Sequence, residues 1–249
     1  LRRIDMQSND HWSWRGWYVF ALVAGLSLIT KYLIRYRGSH IFNPSNVGLV
    51  AAFLLLGSAR IEPLDFWWAP FDGWMIAAYL IILVGGLLIT ARLHLLGMSA
   101  AFWLTLAVGI GVLAASGHCM TARWSFEPVC GAHFWWVIVF SPEILIFLFF
   151  MITDPKTTPA GRVARVVFGI GVAMVCTLLI APQTTEFGAK VALLSGLVVL
   201  CVARLFFERF LPAPGSERDR LAAFARTAGG GGEPYLTPGR ALGRGALVG

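Results

Sequence analysis

Charged side chains are scarce in this sequence: Asp, Glu, Lys and Arg make up 13% of the 249 residues, whereas apolar residues make up 57%. A soluble domain has about 25% charged residues. The charges are also clustered, which leaves uncharged runs at 73–91, 98–117 and 166–183. Because about 20 apolar residues suffice to cross a bilayer as a helix, the composition excludes an ordinary soluble domain. It predicts an all-α, polytopic transmembrane protein.

Metal-binding patterns are also lacking. The four cysteines form neither a CxxC pair nor a Cys/His spacing typical of a metal site, and no pair of histidines has the spacing expected for haem. Cys176 and Cys201 lie inside apolar runs, where we expect them to pack as small hydrophobic residues. We therefore expect no metal site.

Acidic residues are fewer than basic ones, and the formal net charge is +7. A basic balance is typical of nucleic-acid-binding proteins, but in membrane proteins Lys and Arg collect in the cytoplasmic connections. Here they follow the first, third, fifth and last predicted helices, whereas Asp and Glu outnumber Arg after the second. We therefore expect a lipid bilayer and no nucleic acid as partner, with the C-terminus in the cytoplasm.

Seven apolar segments are predicted to be helices. They cover residues 14–34, 44–58, 73–91, 96–116, 133–153, 164–182 and 187–208. They divide the chain into an external N-terminal segment (1–13), a transmembrane helical domain (14–211) and a cytoplasmic tail (212–249). The tail is rich in Gly, Pro and Arg and is predicted to be disordered, because it has too few apolar residues to form a core.

Two of these segments differ from plain apolar helices. Asn43 followed by Pro44 is typical of a helix start, and the helix that follows has only about fifteen residues. Ser141-Pro142-Glu143 is a second helix start inside 133–153, so that segment is predicted to be broken in mid-membrane. Short or broken helices at membrane depth occur where they are buried in protein or line a cavity, and they indicate a ligand or ion site.

The polar residues of these segments are the candidate cofactor-binding residues. They are Asn43, Asn46, Glu143, Thr153, Asp154 and Thr158. A carboxylate within an apolar run, such as Glu143, indicates a function, unless it caps its own helix or lies nearer the interface. Asp154 either joins this site or only ends its helix. Glu186 and Lys190 have the i, i+4 spacing of an ion pair.

The predicted external connection 117–133 contains Cys119 and Cys130. A disulfide is favoured in an oxidising compartment. Two free thiols are the alternative, because the sequence does not supply the Cα separation that a disulfide requires.

Several motifs resemble landmarks of the RnfD/NqrB family, the flavin-holding membrane subunits of ion-pumping redox complexes. In family order they are Phe42-Asn43-Pro44, the run from Phe149 to Pro155 with Lys156-Thr157-Thr158, Gly161-Arg162, and Glu186-Phe187-Gly188. The segments 39–46 and 181–188 are also similar to bacterial membrane proteins of the UnbU type, a label taken from enediyne biosynthesis clusters.

The resemblance implies the last seven helices of a ten-helix fold, with three helices before Leu1. It also implies a subunit of a larger complex in the bacterial inner membrane, with other membrane subunits and a quinone as partners. The family attaches FMN to a Thr in the loop that corresponds to 60–73, and this loop contains no Thr. Covalent FMN is therefore not expected, and a non-covalent flavin (FMN or riboflavin) is.

Three functions remain open at this stage. The first is membrane electron transfer with a non-covalent flavin or quinone-type group. The second is a structural or assembly subunit without a cofactor, and the third is a permease for a small solute or protons. No catalytic residue is assigned.

Overall fold

The computed structural model of the chain describes residues 17–36, 39–58, 61, 73–159 and 161–210, together with the backbone of 2–3 and 12–13. Side chains are described as far as Leu205. Most of the predicted external segment 1–13, nearly all of the loop 60–73 and the whole tail 212–249 lie outside the described residues. The expectations for them stay predictions.

The described residues form helices joined by short connections. The helices are α1 (Trp17–Leu33), α2 (Pro44–Leu56), α3 (Gly73–Arg92), α4 (Leu96–Ala115), α5 (Gly131–Val139), α6 (Pro142–Ile146), a π-helix (Phe147–Met151), α7 (Arg162–Ile180) and α8 (Glu186–Phe210). Two-residue strands form three antiparallel pairs. They are β1 (Arg2–Arg3) with β2 (Trp12–Ser13), β3 (Arg35–Tyr36) with β4 (Ser39–His40), and β5 (Cys119–Met120) with β6 (Val129–Cys130). The predicted all-α fold is confirmed.

Five of the described helical segments are long and apolar enough to cross a membrane. They are Gly73–Arg92, Leu96–Ala115, Gly131–Met151, Arg162–Ile180 and Glu186–Leu205. The helices α1, with 17 residues, and α2, with 13, are shorter. The chain is thus a polytopic transmembrane helical protein, and the predicted short second helix is confirmed.

The fifth span is broken, as predicted. Ser141 separates α5 from α6 with an extended backbone (φ −67°, ψ 147°), and its hydroxyl oxygen accepts a hydrogen bond from the Ile144 N–H at 3.2 Å. Pro142 takes the first position of α6, where its missing N–H would have no helical partner. The interrupted span is buried by its neighbours, which satisfies the condition for irregular backbone at membrane depth.

The main core lies between α4, the broken span, α7 and α8. The largest wholly buried side chains there include Phe102, Phe134 and Phe147. The helices α4 and α7 approach closely at Gly169, which lacks a Cβ atom. A Cβ added there would lie only 2.6 Å from the carbonyl oxygen of Met98. Close approach at small residues is the usual way in which membrane helices gain packing contacts.

Contacts between connections show which helix ends share a side. The Arg165 guanidinium donates to the His94 carbonyl at 3.4 Å, and the Arg204 guanidinium donates to the Thr157 carbonyl. The connections 93–95 and 152–159 therefore lie on the same side as the later turns of α8. We call this side the basic end.

The opposite side is organised around a disulfide between Cys119 and Cys130, whose Cα atoms are 4.4 Å apart. The structure therefore contains the first of the two alternatives that the sequence left open. The adjacent Thr121 N–H donates to the Thr184 carbonyl at 2.8 Å, and the Glu186 N–H donates to the Thr121 carbonyl at 2.9 Å. We call this side the disulfide end.

Candidate functional site

The helix α2 begins in the middle of the transmembrane region. Its Asn46 side chain donates to the Leu194 carbonyl of α8 at 3.0 Å, and Phe53 contacts Phe187 with ring centroids 5.8 Å apart, so the two helices are antiparallel. Leu194 follows the first residue of α8 by eight positions, or about 12 Å at 1.5 Å per residue. The positive end of the α2 dipole is therefore held well inside the span of α8.

Asn43 places this helix start against the broken span. Its side-chain oxygen accepts hydrogen bonds from the Ser45 N–H at 3.1 Å and the Asn46 N–H at 3.4 Å, which caps α2. Its side-chain nitrogen donates to the carbonyl of Met151 at 3.2 Å, the last residue of the π-helix. The Asn43 side chain thus provides hydrogen-bond partners both for N–H groups at the start of α2 and for a carbonyl at the end of the π-helix.

Among the candidate residues, Asn46 has a buried hydrogen-bond acceptor without a donor. Its side chain is 1% exposed, and its amide oxygen has no hydrogen-bond partner among the described residues. A buried acceptor without a donor costs about 1–3 kcal/mol. The site therefore presents an oxygen that favours a ligand with an N–H or O–H group.

His40 and Asp154 form the ionisable part of the site. The Nε2 atom of His40 lies 2.9 Å from Oδ2 of Asp154. The other carboxylate oxygen of Asp154 accepts from the Lys156 N–H at 3.0 Å, and its carbonyl accepts from the Thr157 N–H at 3.0 Å. Asp154 therefore both organises the turn after the π-helix and holds His40, so it does more than end a helix.

The two candidate threonines stabilise this turn. The Thr153 hydroxyl donates to the Phe149 carbonyl, and the Thr158 hydroxyl donates to the Pro155 carbonyl at 3.3 Å. Both side chains are buried. These bonds stabilise the end of the π-helix and the turn that contains Asp154.

Glu143 lies in a different group. Its Oε2 atom is 3.7 Å from Nζ of Lys190, which is also 3.4 Å from Oε1 of Glu186. Ser141, not Glu143, caps α6. The structure thus joins Asn43 to the end of the π-helix, which the turn bearing Thr153, Asp154 and Thr158 follows, and it turns the Asn46 side chain towards α8. It joins Glu143 to the expected Glu186–Lys190 pair.

Two residues that the structure joins to the candidates were not themselves among the sequence candidates. His40 was missed because nothing in the sequence pairs it with a residue 114 positions away. Lys190 was expected only to pair with Glu186, and its contact with Glu143 comes from the break at Ser141. The signal available for His40 was its position just before the Asn43 helix start.

Within the described residues, no group of three or more His, Cys, Asp and Glu side chains is arranged to hold a metal ion. Comparisons with protein-family models, curated proteins and solved structures find no match to this chain. The resemblance to the RnfD/NqrB family therefore stays a prediction.

Proposed function

We propose that this chain is a membrane subunit for electron transfer, which holds a non-covalent flavin (FMN or riboflavin) or a quinone-type group between the start of α2 and the turn 152–158. The observation that carries the proposal is the buried amide oxygen of Asn46, which has no partner among the described residues. A flavin ring N–H or the O–H of a reduced quinone is a donor of the kind this oxygen needs.

The start of α2 adds an electrostatic reason. The N-terminal end of a helix carries a partial positive charge, which stabilises a nearby negative charge by about 0.3–1 kcal/mol at an exposed site and by more where water is excluded. Asn43 holds this end of α2 against the π-helix. The bound group supplies the electron-accepting ring, and the protein supplies position and electrostatics.

His40 and Asp154 provide a place to hold a proton next to this site. Reduction of flavins and quinones is accompanied by proton uptake, so a proton-holding pair beside the ring is chemically appropriate. The carboxylate of Asp154 orients the imidazole through the 2.9 Å contact, and both groups are largely shielded from solvent.

Two of the motifs that resemble the family meet at this site. The segment Phe42-Asn43-Pro44 is joined to the segment 149–155 by the hydrogen bond from Asn43 to Met151, and His40 lies beside Asp154. This meeting supports the proposal that the chain works as a subunit of a larger complex in the bacterial inner membrane, with its basic end and C-terminus on the cytoplasmic side.

The direct test is a visible absorption spectrum of the purified protein, followed by extraction of flavin and quinone. We expect a flavin or quinone to be extracted from the wild type and its content to fall at least tenfold in Asn46→Leu. A wild-type protein from which neither can be extracted would contradict the proposal.

Ser99→Ala is a matched control for Asn46→Leu. Ser99 is 3% exposed, and its hydroxyl oxygen, like the Asn46 amide oxygen, has no partner among the described residues. It lies in α4, outside the site. Its substitution is expected to leave the cofactor content unchanged, and equal losses in the two variants would show that Asn46 acts only through stability.

The other two functions make different predictions. A structural subunit would be free of cofactor, and its deletion would stop assembly of its membrane partners. A permease would give flux across liposomes without any bound redox group.

A further inference from the structure

Three arginines lie at the basic end, where α3 ends and α7 begins. Arg92 is the last residue of α3, and Arg162 and Arg165 lie in the first turn of α7. The Arg165 guanidinium donates to the carbonyl oxygens of Pro159 at 3.3 Å and His94 at 3.4 Å. The start of α7 is therefore held beside the connection that follows Arg92.

Arg162 lies next to Arg165 on one face of α7, because residues three apart in a helix are neighbours. This face is turned to the connection 93–95, since Arg165 contacts the His94 carbonyl. Arg92 ends α3 two residues before His94, and the side chains of Arg92 and Arg162 are both exposed. The three arginines therefore lie around one connection at the basic end, and we call them the arginine patch.

The arginine patch forms no ion pair with a carboxylate in the part of the chain that the structure describes. The described hydrogen bonds of the Arg165 guanidinium go to carbonyl oxygens, which carry no formal charge. Asp154, the carboxylate described at the basic end, is held by His40 and by the Lys156 N–H. The described residues therefore place no counter-charge in direct contact with the patch, and cationic side chains at a membrane boundary attract anionic lipid headgroups.

An exposed apolar face of α7 starts directly after Arg162. Val163, Val167, Met174 and Leu178 follow each other at intervals of four and seven residues, so they share one face of the helix, and they are 55–77% exposed. Because α7 is one of the membrane spans, this face lies in the hydrocarbon region and Arg162 lies at its boundary. A molecule with an anionic head and an apolar chain therefore matches both parts of this surface.

We propose that the arginine patch binds the phosphate group of an anionic phospholipid, whose acyl chains lie along the exposed apolar face of α7. Guanidinium groups bind phosphate oxygens through paired N–H donors. Two carbonyl oxygens fix the Arg165 guanidinium, and its other N–H groups have no partner among the described residues. A free phosphate ion or an acidic peptide would use the arginines but not the apolar face, so the continuous surface favours the lipid.

The test is a lipid titration of the full chain, freed of lipid in detergent and followed by native mass spectrometry. The probes are phosphatidylglycerol, phosphatidylcholine with the same acyl chains, and glycerol phosphate, which has the headgroup phosphate without the chains. The wild type is expected to bind phosphatidylglycerol more tightly than phosphatidylcholine. In the double variant Arg92→Gln and Arg162→Gln, the affinity for phosphatidylglycerol should fall by about fivefold for each arginine, or about 25-fold together. An excess of glycerol phosphate should not displace the lipid.

Arg123→Gln is the matched control, because it removes the same charge from an exposed arginine at the disulfide end. It is expected to leave the affinity for phosphatidylglycerol unchanged. The double variant Arg92→Lys and Arg162→Lys keeps both charges and is expected to keep most of the binding. Circular dichroism of each variant separates these results from loss of fold.

Four results would overturn the proposal. They are equal affinity of the wild type for the two lipids, unchanged affinity in the double Gln variant, an equal loss in Arg123→Gln, and displacement of the lipid by glycerol phosphate. The last of these would assign the arginine patch to a free phosphate group. The outcome is independent of whether the protein contains a flavin or a quinone.

Discussion

The two helix starts inside the membrane use similar sequences but make different kinds of contact. Asn43-Pro44 and Ser141-Pro142 both place a capping residue before a proline at the first helical position. The start of α2 lies among neutral amides and a histidine–carboxylate pair, whereas the start of α6 brings Glu143 to a buried lysine. A shared local motif therefore fixes where the helices begin, and the partners on other helices determine the chemistry.

The difference between the caps has a simple cause. An amide side chain has both an acceptor and a donor, so Asn43 caps α2 and also binds the Met151 carbonyl. The described hydrogen bond of the Ser141 hydroxyl is local, to the Ile144 N–H. The first helix start thus joins two parts of the chain through a neutral amide, while the second contacts α8 through the charge of Glu143.

Removal of the lysine is expected to lower the free energy of unfolding more than any change at the start of α2. In Lys190→Met, two carboxylates remain close together without their cation, and breaking a buried ion pair on one side costs about 3–5 kcal/mol. The free energy of unfolding, measured in mixed detergent micelles, should fall by this amount.

A triple variant provides the control for this prediction. Adding Glu143→Gln and Glu186→Gln to Lys190→Met removes all three formal charges and is expected to restore most of the lost stability. If Lys190→Met alone unfolds as easily as the triple variant, charge is not what stabilises the second helix start.

A pair of cap substitutions gives a smaller and sharper test. Each of Asn43→Ala and Ser141→Ala should lose about 1 kcal/mol for the missing cap. Asn43→Ala should lose about 1 kcal/mol more, because the hydrogen bond to Met151 is also removed. Unfolding measured under the same conditions compares the two, and equal losses would mean that the bond to Met151 contributes nothing.

Local patterns in the sequence predicted the helix starts well. The proline at the first position, the preceding cap and the length of each apolar run identified α2 and the break at Ser141. The Glu186–Lys190 pair was also accessible, because residues four apart share a helix face. These features depend on a few neighbouring residues, which a single sequence displays directly.

The cross-helix partners could not be obtained in the same way. Glu143 and Lys190 are 47 positions apart, and His40 and Asp154 are 114 apart. Such contacts depend on how deep each helix start lies and on which face it turns to α8. Sequence patterns therefore named the candidate residues, whereas the contact of Glu143 with Lys190 came from the structure.

The smallest expected effect concerns the neutral helix start. A double-mutant cycle with His40→Leu and Asp154→Asn should give a coupling of about 1 kcal/mol, the usual net contribution of one hydrogen bond. Asn keeps an oxygen that can cap the Lys156 N–H, so the cycle isolates the contact with His40. A coupling as large as the loss of stability in Lys190→Met would contradict this difference between the two helix starts, because both would then depend on charge to the same degree.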